Sequence, residues 1–304
     1  MTTSPYLSAS EQEEQLIENI SAGIPVSLEM ALLVLSGLST NDEIRSYQSK
    51  LDSIFARFLE KCSERKFTLQ PELPLYHHRE AAKVLFDYLW TSKPKRFGRN
   101  FLLTQAIDAQ LDPDIEVSVG TCVGLTALYS VLGLKVGLNL TLLINSDHLL
   151  SRLRVGKEVI DIDHTDPQGF AQVSCKDLTE LPIVLLTASV LNSRGLEHEH
   201  NGRFAAALSD YDKAVRVYPG YANAYNNRGN MKLRLGDIDG AIADYTEAIR
   251  LNPGFFEAYC NRGMAWQRLG RYDEARSDYL ASLTLRGDYA DASKCLRALD
   301  EMQD

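Results

Sequence analysis

The feature that most narrows what this chain can become is a repeat in its last third. Gly195, Gly229 and Gly263 stand 34 residues apart. The same step links Arg194, Arg228 and Arg262, then Gly202, Gly236 and Gly270, then Ala207, Ala241 and Ala275. Tyr211, Tyr245 and Tyr279 continue the register, each preceded by an aspartate (Asp210, Asp244, Asp278). Ala214 and Ala248 are followed by Ser282, and Pro219 and Pro253 by Gly287. A period of this length marks a stack of identical supersecondary units, each unable to bury its apolar face alone. Each unit reads as two short helices joined by a glycine-containing turn. Small residues let the helices approach, the tyrosine fills the gap between units, and the proline ends the second helix. The spacing predicts repeats at 188–219, 220–253 and 254–287, with 288–304 supplying a capping helix and tail that covers the end of the stack.

The first two-thirds follow a different pattern. Residues 1–26 read as a frayed, acidic and polar segment, not a signal peptide. Ser27 begins a helix to Gly37, and Thr40 or Asn41 caps a longer one to Cys62, with Ile44, Tyr47, Leu51, Ile54, Phe55, Phe58 and Leu59 recurring at helical spacing. Further helices are expected over Arg79–Trp90, Asn100–Leu111 and Cys122–Leu132. The segment Lys93–Arg99 reads as a solvated basic connection. Three strand-like runs follow, Leu138–Ile144, His148–Val155 and Glu158–Asp163, and Gly156-Lys157 supplies the turn between the last two. Residues 27–187 are thus expected to form an α+β domain, helices first and then a helix packed on an antiparallel sheet, followed by an all-α solenoid.

Composition removes several function classes. The 304 residues carry 32 Lys+Arg against 41 Asp+Glu, a net charge of -9. A nucleic-acid binder working by phosphate neutralisation needs a basic footprint, so nucleic acid is not expected as a partner. No apolar run approaches the length of a membrane span, and no membrane association is expected. Five cysteines lie far apart, at 62, 122, 175, 260 and 295, with no Cys-x-x-Cys pair. Free thiols in a reducing cytoplasm are the expectation. No cofactor or metal site is expected; the spacing of Cys122, His148, Asp163 and His164 fits no standard zinc pattern.

One constellation carries chemistry. Cys122 is placed at a helix N-terminus, after Gly120-Thr121, where unsatisfied N–H groups favour thiolate. His148 begins the strand that leads into the hairpin and Asp163 ends the strand that returns, so the turn at Gly156-Lys157 puts the two side by side. Nucleophile, base and orienting carboxylate are the parts of an activated thiol. Asp161, two residues from Asp163 and on the same face of a strand, is an alternative orienter.

The residues at these places carry two resemblances. The 34-residue unit resembles the tetratricopeptide repeat. That resemblance implies a partner protein or peptide bound on a concave face carrying Asn192, Asn226, Asn230, Arg234, Met264 and Arg268. Gly120-Thr121-Cys122, His148 and Asp163-His164-Thr165 look like the cysteine, histidine and aspartate blocks of the transglutaminase-like, papain-like core. Within that superfamily, residues 27–169 resemble the bacterial SirB family, often followed by tetratricopeptide repeats. The stretches that carry this are Ala31-Leu32-Leu33, Tyr47 with Leu51-Asp52, Asn100-Phe101-Leu102-Leu103, Val123–Tyr129 and Asp147–Leu150. The chain departs from the superfamily at Leu150 and Val159, where aromatic residues are usual. The resemblance implies thiol amidase or acyl-transfer chemistry: a protease, deamidase or transglutaminase-type reaction. The alternative is a scaffold in which only the repeats act.

Overall fold

The structure is a computed structural model and describes residues 8–65, 75–94, 98–99, 101–114, 116–145, 148–173 and 178–303. The chain divides into two compact units, Met1–Val190 and Leu191–Asp304.

The first unit opens with a helix where a frayed segment was expected. α1 (Ala9–Ser21) begins at a capping box: Ser8 Oγ accepts from the Glu11 amide, and the Glu11 carboxylate accepts from the Ser8 amide at 2.7 Å. Two orphan amides are thereby satisfied, and Leu16 and Ile17 are buried. The polar composition is the helix's outer face. Ser27 caps α2 (Leu28–Leu35), and Thr40 caps α3 (Asn41–Glu64) with Glu43 closing a second capping box. α4 (Leu75–Ser92) starts one turn before the expected Arg79, and α5 (Leu103–Leu111) follows. Pro71, Pro74 and Asn100 lie outside the described residues.

The basic segment is not wholly solvated. Lys93 is buried at 2% exposure, and its ammonium donates to the backbone carbonyls of Asp112, at 2.7 Å, and Asp114. A buried ammonium needs such acceptors, and here they come from the loop after α5. Lys95, Arg96 and Phe97 lie outside the described residues.

α6 (Cys122–Lys135) is the centre of this unit. Every residue from Val123 to Gly133 is buried. A helix apolar all round is buried all round, and α6 packs against α5, α2, α4 and the sheet. That sheet is antiparallel, in the order β3-β2-β1-β4, from β1 (Leu140–Ile144), β2 (Leu149–Val155), β3 (Glu158–Ile162) and β4 (Thr179–Leu181). β4 has only three residues and no alternation to betray it. Leu142, Ser151, Leu153, Ile160 and Ile162 are buried, while the opposite face carries ions. There Arg152 bonds both oxygens of Asp161, at 2.7 and 2.9 Å, and reaches Glu180 on β4 at 2.9 Å.

The second unit is helical. α7 (Leu185–His200) runs across the boundary between the units and pairs with α8 (Phe204–Val217). α9 (Ala222–Leu235) pairs with α10 (Ile238–Leu251), and α11 (Phe256–Arg268) with α12 (Tyr272–Leu285); α13 (Ala290–Gln303) follows. The glycine period has a steric cause. A Cβ on Gly195, Gly229 or Gly263 would meet the ring of Tyr211, Tyr245 or Tyr279 at 2.6, 2.7 and 2.7 Å. The arginine before each glycine does more than lay its stem on a neighbouring helix. Arg194, Arg228 and Arg262 each bond both oxygens of the buried Asp210, Asp244 and Asp278, at 2.6–2.9 Å. Each repeated aspartate is thus one half of a planar, two-bond fork that clips the two helices of its unit together.

Candidate active site

The thiol's position follows from how α6 begins. Thr121 adopts extended backbone and caps the helix, its Oγ1 accepting from the Gly124 amide at 3.5 Å. Cys122 is therefore the first helical residue, beside amides that have no partner within the helix. It is a free, partly buried cysteine. Gly98 donates its amide to the Gly120 carbonyl at 2.8 Å, tying down the chain just ahead of the nucleophile position.

His148 enters β2 one residue before its first pair. Asn145 Oδ1 accepts its amide at 2.8 Å. The β2–β3 register pairs Ser151 with Ile162 and Val155 with Glu158, and Gly156 takes the left-handed conformation, φ 61°, that a two-residue hairpin requires. That register carries Asp163 to His148, with Asp163 Oδ2 and His148 Nε2 at 2.9 Å. Cys122 acts on the same imidazole, raising it together with Asp163.

The carboxylate itself is braced. Asp163 Oδ1 accepts from the Thr165 amide at 2.8 Å and from Thr165 Oγ1 at 2.6 Å, which leaves Oδ2 for the histidine. The turn then closes on itself: Asp163 donates its amide to the Gly169 carbonyl at 2.9 Å, and a Cβ on Gly169 would meet the Asp163 carbonyl oxygen at 2.3 Å. His164 is buried beneath, its Nε2 bonded to Ser151 Oγ at 2.8 Å and its ring 4.4 Å from that of Tyr129 on α6. The aspartate turn is thereby packed against the helix that bears the cysteine. Thr165 and Gly169 were not among the candidate residues. The Asp-x-Thr spacing, in which a carboxylate bonds the amide two residues on, is the local signal for the first; nothing local marks the second.

Charge follows the geometry. The Asp163 carboxylate first, and then Cys122, push His148 up to about 10. Burial would raise the Asp163 carboxyl, but hydrogen bonds from His148 and Thr165 outweigh it and bring it down to about 2. Between those values a charged imidazolium–carboxylate pair faces the thiol. Asp161 is not part of it, because its carboxylate is held by Arg152 on the ionic face of the sheet. The strand alternation that suggested a shared face ends at Ile162, and the chain turns at Asp163. The other described thiols lie elsewhere: Cys62 is buried on α3, with its thiol pushed up to about 11 by burial, and Cys260 and Cys295 lie in the helical unit. Cys175 lies outside the described residues.

The six residues expected on a binding face all have partners within the repeat unit. Asn192 and Asn226 accept from Asn227 and Asn261, both at 2.9 Å. Asn230 accepts from the Tyr245 hydroxyl at 2.8 Å, and Arg268 donates to the Leu233 carbonyl at 3.0 Å. Arg234 stacks on Phe204 and lies 3.8 Å from Glu199, and Met264 packs in the cluster around Cys260 and Tyr279.

Residues 222–255 and 256–289 match the tetratricopeptide repeat family; these segments are two such repeats. A search of curated proteins found no match to the chain. Among solved structures, similar ones include the first TPR of Spaghetti (RPAP3) bound to an HSP90 peptide, 28% identical over 38% of this chain and 92% of that one, with TM-score 0.37. The Arabidopsis OM64 TPR domain is 25% identical over 39% of this chain and 98% of that one, TM-score 0.38. The second TPR domain of human RPAP3 with an HSP70 peptide is 26% identical over 37% and 94%, TM-score 0.36. Among the described residues no helix is long and apolar enough to cross a membrane, and no group of three or more His, Cys, Asp or Glu is placed to hold a metal ion.

Proposed function

We propose that the first unit is a transglutaminase-like, SirB-type thiol acyl hydrolase or acyl transferase acting on protein amides in the cytoplasm. In this reading the repeats hold the partner polypeptide. The observation that carries it is the 2.9 Å bond between His148 and Asp163 at the two outer ends of a hairpin, with Cys122 at a helix N-terminus raising the same imidazole. With His148 already charged beside Asp163, Cys122 attacks the amide carbonyl carbon as the thiolate of a thiolate–imidazolium pair. The C–N bond breaks as His148 gives its proton to the leaving amine, and the acyl group on sulfur then passes to water or to a second amine, whose proton the neutral imidazole takes up. Asp163 holds the imidazole in orientation and stabilises its charged form. The first amides of α6, which a helix leaves without partners of its own, are the donors this reading assigns to the negative charge that develops on the carbonyl oxygen. The repeat family is built for binding, and Arg234 and Arg268 are the exposed side chains offered to a peptide, with Asn230 and Met264 half-buried beside them; Asn192 and Asn226 are buried and bonded to Asn227 and Asn261.

The test is alkylation of the native chain with iodoacetamide from about pH 5 to about pH 9, mapping the modified cysteine; an unassisted thiol has pKa about 8.5. Cys122 is expected to react well below neutral pH and to lose that reactivity in His148→Ala. Reaction of Cys122 only above about pH 8, unchanged by His148→Ala, would overturn the activated thiol and leave a scaffold in which only the repeats act.

A further inference from the structure

The asparagine contacts of the repeat unit form a ladder, and its third rung is made of sulfur. Asn192 with Asn227 is one rung and Asn226 with Asn261 the next, each pair 35 residues apart and each joined at 2.9 Å. One repeat further, the same register falls on Cys260 and Cys295, again 35 apart. Cys260 stands on α11 at the place of Asn192 and Asn226 and is fully buried; Cys295 stands on α13 and is partly exposed. Cys260 belongs to a cluster with Tyr279, Ala275 and Leu299, and Cys295 packs against that cluster. The pairing that brings amide tips together twice brings two sulfur atoms together at its third occurrence. A thiol pair is a poor substitute for an amide pair as a hydrogen bond. Its distinct capacity is oxidation.

We infer that Cys260 and Cys295 are an oxidisable dithiol, a modification site at which a peroxide closes a disulfide between the third repeat and the terminal helix. Cys295, the more accessible sulfur, attacks one peroxide oxygen; the O–O bond breaks, giving a sulfenic acid and one water. The Cys260 sulfur then attacks the sulfenic sulfur, the S–S bond forms, the S–O bond breaks, and a second water leaves with the remaining thiol proton. Two thiols are oxidised and one hydrogen peroxide is reduced to two waters. Burial pushes the Cys260 thiol up to about 12, which makes it the resolving sulfur and not the first to react. A bridge here joins residues on α11 and α13 and is independent of the chemistry proposed for Cys122.

The experiment uses the full chain carrying Cys122→Ser, so that the proposed nucleophile cannot compete. After hydrogen peroxide, free thiols are alkylated under denaturing conditions and the digest is mapped by mass. The expected product is one cross-linked peptide pair containing Cys260 and Cys295, lighter by two hydrogens than its parts and restored to two alkylatable thiols by a reductant. In Cys260→Ala, Cys295 is expected to accumulate as a sulfenic acid captured by a dione probe. Two results overturn the inference: capture of Cys295 as a sulfenic acid with Cys260 left free, or full alkylation of both thiols after peroxide.

Discussion

Asp163→Asn is the perturbation that most directly interrogates the site, because it keeps the shape of the side chain and removes its charge. In the folded chain the carboxyl lies at about 2, against 3.8 ordinarily. At roughly 1.36 kcal/mol per pH unit, that difference contributes about 2.5 kcal/mol of stability when fully expressed. The rise of His148 reflects the same pair and also contains the effect of the thiol. The pH window follows from the two directions. A carboxyl lowered on folding stabilises above its unfolded value, near 3.8, and loses that contribution as pH falls through about 2. An imidazole raised on folding stabilises fully below its unfolded value, near 6.5, and loses that contribution as pH rises through about 10. The pair is therefore worth most between these unfolded values. At 2–4 °C per kcal/mol, Asp163→Asn should lower the melting temperature by about 5–10 °C in that window. Scanning calorimetry of both proteins from acid to alkaline pH gives the difference curve. It should peak in the mildly acidic range and shrink on both sides. A flat difference across the whole range would refute the ion pair, and with it the argument that Asp163 sustains a charged His148.

Other substitutions test the supports around this site and in the repeats. Thr165→Val removes a 2.6 Å bond to Asp163 Oδ1 and should slow Cys122 alkylation near neutral pH by about tenfold, the effect of losing roughly 1.4 kcal/mol, whereas Thr165→Ser should keep the wild-type rate. Gly229→Ala drives a methyl to 2.7 Å from the Tyr245 ring; overpacking of this kind costs about 1–3 kcal/mol, readable in urea titrations of the full chain. Asp244→Ala leaves Arg228 and Lys232 without their shared carboxylate and should destabilise by about 3 kcal/mol by the same measurement. A loss of less than about 0.5 kcal/mol would show that the repeated fork contributes nothing to stability.

Much of the architecture is written in local pattern. The 34-residue step of Gly229, Tyr245 and Arg228 is legible because each unit meets the same neighbours, so the same side chains recur. The hairpin register is legible because Gly156-Lys157 fixes which residues oppose, and the nearness of His148 and Asp163 follows by counting. Helix starts at Ser27 and Thr40 are legible because capping is decided within four residues. The helix at Ala9 is not legible for the converse reason, since its charged residues outweigh the two buried apolar ones, Leu16 and Ile17, that dock it.

What the sequence could not show depends on contacts distant along the chain. Asp161 and Asp163 look equivalent until Arg152 claims one and His148 the other, a choice made by where the strand ends. Thr165 and Gly169 matter because the turn folds back on Asp163, and Lys93 because two carbonyls some twenty residues on converge on it. The sequence by itself determined the repeat, the hairpin and the residue types from which a reactive thiol can be made. Only the tertiary structure decided which carboxylate orients the histidine and which thiols meet, because hydrogen bonding and desolvation depend on neighbours in space, not on spacing along the chain.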